Sequence, residues 1–365
     1  MMRLALRALG IEVVVEVEGL SAAQFDELAR SWGGTSVDQP GQSAVVIRAR
    51  LGDWGDGDDF GADTFERFAD RVSTHVTLRA IVARKHDLVM LHAGAVADPA
   101  TGAVVAFLGP SGRGKTTASI ALGPHFSYVT DETVGIQDDL VVVPYRKPLS
   151  MKRDGVRWKA QVAPGDLGLL PLPDAPLRLA RILLLDRDPE YPADAPPKVE
   201  AVGLAEAMGE LVPQISYLTE RAAPLHRLRD LVAASGGLLR VTYREAHTLV
   251  PIVADLMARP AEPFGPPALE VPVSGKGPIT RTAVTDSIAD GDAQVVLADG
   301  TVRVLTGIAP TLWRALPAER ESLVAAVVAE HGLPPDGDAG ELIAAVIAEL
   351  EAIGLVAIAN GHLNE

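Results

Sequence analysis

The 365-residue chain contains no cysteine, and this absence removes several kinds of chemistry at once. A chain without thiols forms no disulfides, uses no thiolate nucleophile and binds no metal through cysteine, which suits a reducing compartment. It also lacks a run of 18 apolar residues, so we expect no membrane span. Glu12, Glu16 and Glu18 interrupt the apolar N-terminal stretch, unlike a signal peptide. We therefore expect a cytoplasmic protein without a membrane partner.

Basic residues are also scarce. The 33 lysines and arginines face 48 aspartates and glutamates, a net charge of −15, which argues against a general nucleic-acid binder. Apolar residues make up 48% of the chain, enough for buried cores. The length predicts two or three domains.

The most specific motif lies in residues 104–117, where an apolar run leads into Gly-x-x-x-x-Gly-Lys-Thr. This is a phosphate-binding loop between a predicted strand and a predicted helix. Glycines let backbone N–H groups face the phosphates, Lys115 reaches the β- and γ-phosphates, and the Thr116 hydroxyl ligates Mg²⁺. A chance glycine turn is the alternative. The predicted ligands of ATP or GTP are Gly109, Pro110, Ser111, Gly112, Arg113, Gly114, Lys115, Thr116 and Thr117.

Two acids follow the next predicted strand, at Asp131 and Glu132. In phosphoryl transfer one carboxylate accepts the proton of the nucleophile and another holds Mg²⁺, so we predict these roles for the pair. A solvated turn is the alternative. Upstream, His92 lies in an apolar run, where a buried, hydrogen-bonded histidine is the simplest interpretation.

Residues 145–159 carry six basic side chains against the single acid Asp154, in a chain that is otherwise acidic. The cluster predicts a basic wall for the γ-phosphate or for an anionic substrate. A solvated loop face is the alternative. Within the cluster, Lys152 and Arg153 are the predicted phosphate or substrate contacts.

Three segments together resemble the catalytic core of the bacterial HPr serine kinase/phosphorylase family, which shares its P-loop fold with phosphoenolpyruvate carboxykinase. They are His-Ala-Gly-Ala-Val from His92, Gly-Pro-Ser-Gly-Arg-Gly-Lys-Thr-Thr from Gly109, and Tyr-Val-Thr-Asp-Glu from Tyr128. The resemblance covers residues 88–152 best. It implies that His92 supports Asp131, that Asp131 removes the proton from a serine hydroxyl, and that Glu132 lies near the metal. Lys115, with His92 and Asp131, completes the implied catalytic set.

The chain departs from that family at several positions. The family has two aspartates where this chain has Asp131 and Glu132, and Ser-Glu where it has Thr116 and Thr117. The glycine-rich signature associated with dephosphorylation is missing. These departures argue against phosphorylase activity and against HPr as the acceptor. Members of the family are often oligomeric, which implies a homo-oligomer here.

The sequence predicts an α/β multidomain protein. A small α/β unit (residues 1–85) precedes the P-loop core (residues 86–258), and a Pro/Gly-rich linker (residues 259–279) leads to a last module (residues 280–365). In that module strands at 282–288, 295–298 and 301–305 precede three helices, which is a winged-helix pattern. It has four basic and 13 acidic residues and no lysine, so DNA is not the expected partner.

The last module resembles PqqD, the winged-helix chaperone typical of RiPP recognition elements, which hold the leader peptides of ribosomally made, modified peptides. The likeness rests on apolar patterns in residues 296–316 and 342–355. It implies that a leader adds as a strand near residues 301–305 and packs on the closing helix. A winged-helix domain with a different partner is the alternative.

Together the motifs predict an ATP- and Mg²⁺-dependent kinase of a Ser or Thr hydroxyl on a leader-bound precursor peptide or small protein. Two other hypotheses stay open. One is a kinase of a small-molecule hydroxyl with a regulatory peptide-binding domain, and the other is a nucleotide-gated peptide chaperone without catalysis.

Overall fold

A computed structural model describes residues 1–110, 112–153, 155, 157–259, 276–335 and 338–359. The described residues form a mixed α/β structure with several sheets, as the sequence predicts. None of the helices in these ranges is long and apolar enough to cross a membrane. Predicted ligand Ser111 and most of the predicted linker, residues 260–275, lie outside the described residues.

The first 85 residues build a four-stranded sheet in the order β1-β2-β3-β4, covered by two helices. Strands β1 and β2 are antiparallel, whereas β2, β3 and β4 are parallel. Ser21 and Thr64 cap the helices, each hydroxyl accepting from a backbone N–H of the first turn. The elements are β1 Met2–Ala8, β2 Ile11–Glu18, α1 Ala22–Ser31, β3 Val45–Leu51, β4 Phe60–Ala62 and α2 Phe65–Ala83.

The middle of the chain is rich in strands. A six-stranded sheet has the order β14-β16-β13-β7-β6-β8, and β10-β9-β5-β15 and β11-β12 form two smaller sheets. The strands are β5 Val89–Leu91, β6 Gly94–Ala97, β7 Ala103–Leu108, β8 Ser127–Thr130, β9 Val134–Ile136, β10 Val142–Val143, β11 Leu149–Met151, β12 Ala160–Val162, β13 Arg178–Arg187, β14 Lys198–Val202, β15 Ile215–Ser216 and β16 Leu238–Tyr243. The helices are α3 Lys115–Leu122, α4 Leu204–Leu211, α5 Pro224–Ala234 and α6 Leu249–Ala258.

The direction of the strands decides which ends meet in this large sheet. Strand β6 is antiparallel to both β7 and β8, so β7 and β8 point the same way on either side of it. Their carboxyl ends therefore lie at one edge of the sheet. The phosphate-binding loop follows β7 and the two acids follow β8, which brings both motifs to that edge.

The last part of the chain contains an antiparallel sheet in the order β18-β19-β20, a separate β17-β21 pair and three helices. Trp313, Leu323 and Ile343 are buried in its core. The elements are β17 Ile279–Arg281, β18 Asp286–Asp290, β19 Ala293–Ala298, β20 Thr301–Leu305, α7 Ala309–Ala315, α8 Arg320–His331, α9 Ala339–Ala352 and β21 Val356–Ile358.

The single strand predicted at residues 282–288 is wrong. The chain pairs with β21 up to Arg281 and with β19 from Asp286, and it passes between these two partners at residues 282–285. An alternating pattern does not reveal that a segment changes its pairing partner.

The chain divides into two compact units. Unit 1 comprises Met1–Val202, Glu210–Arg221 and the described part of Ala234–Phe264. Unit 2 comprises Gly203–Gly209, Ala222–Ala233 and the described part of Gly265–Glu365. Two helical segments from the middle of the sequence thus belong with the C-terminal elements, which the predicted boundaries did not include.

Candidate active site

The phosphate-binding loop leaves β7 and enters α3 through a left-handed turn. Gly112 and Gly114 have φ angles of 83° and 97°, a conformation that costs glycine little. Gly114 is also the N-cap of α3, so Lys115 begins the helix. The Lys115 ammonium donates to the Gly109 carbonyl at 2.7 Å and is 8% exposed as a residue. The Arg113 side chain points to a different partner, and its guanidinium lies 3.5 Å from the Arg187 carbonyl oxygen.

Asp131 meets the loop directly. The Thr116 hydroxyl donates to Asp131 Oδ2 at 3.0 Å, and the buried Tyr128 hydroxyl donates to Asp131 Oδ1 at 3.0 Å. Tyr128 lies on β8 three residues before Asp131, and burial raises the pKa of its hydroxyl well above the ordinary value. Each carboxylate oxygen of Asp131 therefore accepts a hydrogen bond, and one of the two donors, Thr116, belongs to the phosphate-binding motif.

Glu132 has a different partner. Its Oε2 lies 2.8 Å from the ammonium of Lys147, whose side chain is completely buried, while one third of the Glu132 side chain is exposed. Burial opposes charge on both groups, but their mutual attraction outweighs it. The pKa of Glu132 is consequently lowered and the pKa of Lys147 is raised, so the pair stays ionised. Lys147 also lies 3.8 Å from Asp131 Oδ1.

His92 lies in the chain between β5 and β6. Its backbone N–H donates to Gln214, and the next N–H, of Ala93, donates to the Glu132 carbonyl. Burial lowers the pKa of His92, and the nearby charge of Lys115 lowers it further, which favours the neutral imidazole. Burial also lowers the pKa of Lys115, although Asp131 opposes this.

These groups surround one cavity of about 390 Å³, within the usual size range of small-molecule pockets. Of the two residues predicted to contact phosphate or substrate, Lys152 lines the cavity and Arg153 does not. Lining residues that were not predicted as site residues are Ile120, Lys147, Ser150, Met151 and Lys159. The predicted residues that line it are His92, Gly112, Gly114, Lys115, Thr116, Thr117, Asp131, Glu132 and Lys152.

Lys147 is a fully buried lining residue that the sequence analysis did not single out. It stands within the basic cluster, and nothing in the local sequence separates it from the exposed Lys152, Arg153, Arg157 and Lys159.

The residues at the loop suit Mg²⁺. Thr116 and Asp131 offer two oxygens close together, and Mg²⁺ in nucleotide sites takes one or two protein oxygens, with phosphates and water as its other ligands. No cluster of three or more His, Cys, Asp or Glu occurs in the described ranges, which is compatible with such a sparse protein ligand set. Glu132, predicted as the metal acid, contacts Lys147 instead, and Asp131 is the acid at Thr116.

No protein-family model and no curated protein matches this chain. Among solved structures, it is similar to the Hpr(Ser) kinase/phosphatase from Coxiella burnetii, with 15% sequence identity and a TM-score of 0.25. The match covers 46% of this chain and 93% of that chain. A likeness with this TM-score carries no weight for fold or function, so the similarity to the HPr kinase family stays a prediction.

Proposed function

We propose that the protein is an ATP- or GTP-dependent phosphotransferase that phosphorylates a hydroxyl group. The observation that carries the proposal is the contact between Thr116 of the phosphate-binding loop and Asp131, beside Lys115, Glu132 and His92 in one cavity. A loop that only binds nucleotide needs no pair of carboxylates at its mouth, whereas phosphoryl transfer uses one for the metal and one near the nucleophile.

We assign the residues of the cavity separate roles according to where each one lies. The loop amides and Lys115 would bind the β- and γ-phosphates and stabilise the charge that develops on the transferring group. Thr116 and Asp131 would hold Mg²⁺, which supplies positive charge to the phosphates. Neutral His92, which lines the same cavity, would help to orient the acceptor.

The two acids have unequal surroundings, and this suggests roles opposite to those implied by the family resemblance. Asp131 contacts the predicted metal ligand Thr116, so we assign it to Mg²⁺. Glu132 is kept ionised by Lys147 and has one third of its side chain open to the cavity, so its carboxylate would accept the proton of the acceptor hydroxyl. Asp131 as the base is the alternative.

For the acceptor we propose a Ser or Thr of a precursor peptide whose leader binds the C-terminal elements. Support comes from β20, one of the two edge strands of the three-stranded sheet, where a peptide strand could pair. Its residue Val304 is 37% exposed. Tethering would raise the effective concentration of the peptide near the cavity. A small-molecule hydroxyl remains the second candidate for the acceptor.

The test is mass spectrometry of a precursor peptide encoded beside the gene, after incubation with the protein, ATP and Mg²⁺. We expect a gain of one phosphoryl mass, lost in Lys115→Met. Glu132→Gln should reduce transfer at least a hundredfold and keep nucleotide affinity, whereas Asp131→Asn should also remove the dependence of nucleotide binding on Mg²⁺. The reverse pattern would return the base role to Asp131.

Peptide and ATP binding without any mass change would contradict the kinase and favour the gated chaperone. Transfer that survives the double substitution Asp131→Asn/Glu132→Gln would show that neither carboxylate takes part.

A further inference from the structure

The hairpin formed by β11 and β12 makes one wall of the cavity. Ser150 pairs with Gln161 in its register, and Leu149 with Val162. Beyond this paired part, Lys152 follows β11 and Lys159 precedes β12, and both line the cavity. We call the described residues 149–153, 155 and 157–162 the cationic hairpin.

A helix from the first 85 residues holds the base of this hairpin. Asp70 on α2 accepts a hydrogen bond from the Gln161 amide at 3.2 Å, and Gln161 accepts one from the Ser150 hydroxyl at 3.1 Å. The Ser150 hydroxyl in turn lies 3.4 Å from the buried ammonium of Lys147. A chain of polar contacts thus links α2 to the Lys147–Glu132 pair.

The same face of α2 also holds the connection of the hairpin. Arg67 precedes Asp70 by three positions, so both project from one side of the helix. The Arg67 guanidinium lies 5.1 Å from the centre of the Trp158 ring, and that of Arg157 lies 5.0 Å from it. Such cation–π contacts favour one position for Trp158, next to Lys159.

Of the four lysines that line the cavity, Lys152 and Lys159 differ from Lys115 and Lys147 in their contacts. Lys115 donates to the Gly109 carbonyl of the loop, and Lys147 forms a salt bridge with Glu132. Lys152 and Lys159, by contrast, make no ion pair with any residue in the described ranges. They are exposed in a chain with a net charge of −15, where acidic partners are plentiful. The charge of Lys159 opposes the rise that burial causes in the pKa of Asp70 and helps to lower the pKa of Glu132, but it does so without a salt bridge in the described part of the chain. Exposed cations of this kind at a cavity attract an anionic ligand.

We propose that the cationic hairpin, positioned by Arg67 and Asp70 of α2, selects an acceptor that carries an anionic group beside its hydroxyl. This inference rests on the proposed phosphotransferase function and names its substrate class. It also gives residues 1–85 a role, because α2 then forms part of the acceptor side of the site. Lys152 and Lys159 would bind the acceptor, and Asp70 and Arg67 are positioning residues.

The experiment uses three acceptor probes with the full chain. Two are heptapeptides with a central serine flanked by glutamates or by lysines, and the third is glycerol 3-phosphate, which separates a small phosphorylated acceptor from an acidic peptide. Initial rates of transfer from ATP give kcat/KM for each probe. Binding of labelled peptides is measured in parallel with a non-hydrolysable ATP analogue and Mg²⁺, and nucleotide Kd with a fluorescent analogue.

We expect at least a tenfold preference in kcat/KM for an anionic probe over the basic peptide. Lys152→Glu and Lys159→Glu should abolish this preference while nucleotide Kd changes less than threefold. The matched charge reversal Lys198→Glu, at a surface residue on β14, should change neither quantity. Asp70→Ala should raise KM for the anionic probe more than it lowers kcat, and Asp70→Asn, which keeps an acceptor for Gln161, should restore it.

Equal use of acidic and basic probes would overturn the inference. So would a loss of nucleotide affinity in Lys152→Glu and Lys159→Glu, which would make the hairpin a clamp for nucleotide phosphates. Binding of an anionic probe, sensitive to both lysines but without transfer, would support the hairpin as an anion site and overturn the phosphotransferase.

Discussion

At the scale of single residues, the site depends on charges that are kept in place by burial and by each other. Lys147 has no exposed side-chain surface, and its ammonium is balanced by Glu132 and, at longer range, by Asp131. Removing one member of such a pair leaves an uncompensated charge in a region with little water. Breaking the pair by removing one member should therefore cost stability as well as the chemistry proposed at Glu132.

Lys147→Met should lower the free energy of unfolding by about 3 kcal/mol, the lower end of the range for a broken buried pair, because Glu132 is one third exposed. Lys147→Met/Glu132→Gln should recover most of this loss, since no unpaired charge remains. Urea unfolding of the two single variants and the double variant gives the coupling. Additive losses would contradict a paired role.

The lowered pKa of His92 predicts a pH dependence of stability. A base whose pKa is lowered on folding binds fewer protons in the folded than in the unfolded chain, so its contribution is present above the ordinary value of 6.5 and is lost as the pH falls below it. Unfolding free energies of the wild type and of His92→Gln between pH 5 and 8 should therefore differ less at pH 5 than at pH 8. A constant difference would show that folding leaves the pKa of His92 unchanged.

The sequence identified the loop side of the site better than its opposite wall. A phosphate-binding loop is local, because its glycines, lysine and threonine are adjacent in the chain, and Asp131 follows from the strand before it. Lys147 and Asp70 reach the site through tertiary contacts, Asp70 from 91 residues before Gln161. Local sequence carries no signal for such a contact, so neither residue was predicted.

At the scale of elements, unit 2 uses strand residues to cap helices. The Asp286 carboxylate on β18 accepts from the N–H groups of Leu225 and His226 at the start of α5 and lies 2.6 Å from His226 Nδ1. Asp290, four residues on, accepts from the Ala205 N–H at the start of α4. The start of each helix thus obtains a carboxylate acceptor from the same strand, where the helix dipole also favours negative charge.

Asp286→Ala should lower the stability of unit 2 by about 2 kcal/mol, the upper range for loss of a cap, because two N–H groups lose their acceptor. Hydrogen exchange should speed up in the first turn of α5. Nucleotide affinity should stay within a factor of two, because the loop and the acids belong to unit 1. Unchanged exchange at Leu225 and His226 would contradict the capping role.

Whether a segment is a helix or a strand was easier to predict than the compact unit to which it belongs. The strand predicted at residues 301–305 is Thr301–Leu305 in the structure, and three helices follow it, as predicted. Residues 222–233, which hold most of α5, belong to unit 2, and Asp286, which accepts from the Leu225 N–H, is 61 residues away from it in the sequence. Composition along the chain could not show this, because α5 has the ordinary pattern of a half-buried helix.

At the scale of the whole molecule, the chain moves between the two units several times before its C-terminal part begins. Residues 203–209 and 222–233 belong to unit 2 although they precede the predicted linker. In this division the C-terminal elements share their unit with two segments that precede the predicted linker.

A chain truncated after residue 258 should lose about 4–8 °C or more in Tm, because α4 and α5 lose their caps and Leu225 and Leu228 lose cover in unit 2. Loss of activity in this truncation would then report on folding as well as on peptide capture. Val304→Lys on the edge of β20 is the sharper test of capture, since it changes an exposed side chain and leaves the caps in place. An unchanged Tm in the truncation would contradict the shared unit.

The distance in sequence between Asp286 and α5 also matters while the protein is being made. The ribosome adds Leu225, at the start of α5, 61 residues before Asp286, which caps it, and it adds Ala205 of α4 85 residues before Asp290. At about 5–20 residues per second, the nascent α5 spends roughly 3–12 s without its cap. During that interval its apolar side is open to chaperones, so synthesis speed and chaperone supply should influence the yield of this protein more than its final stability would suggest.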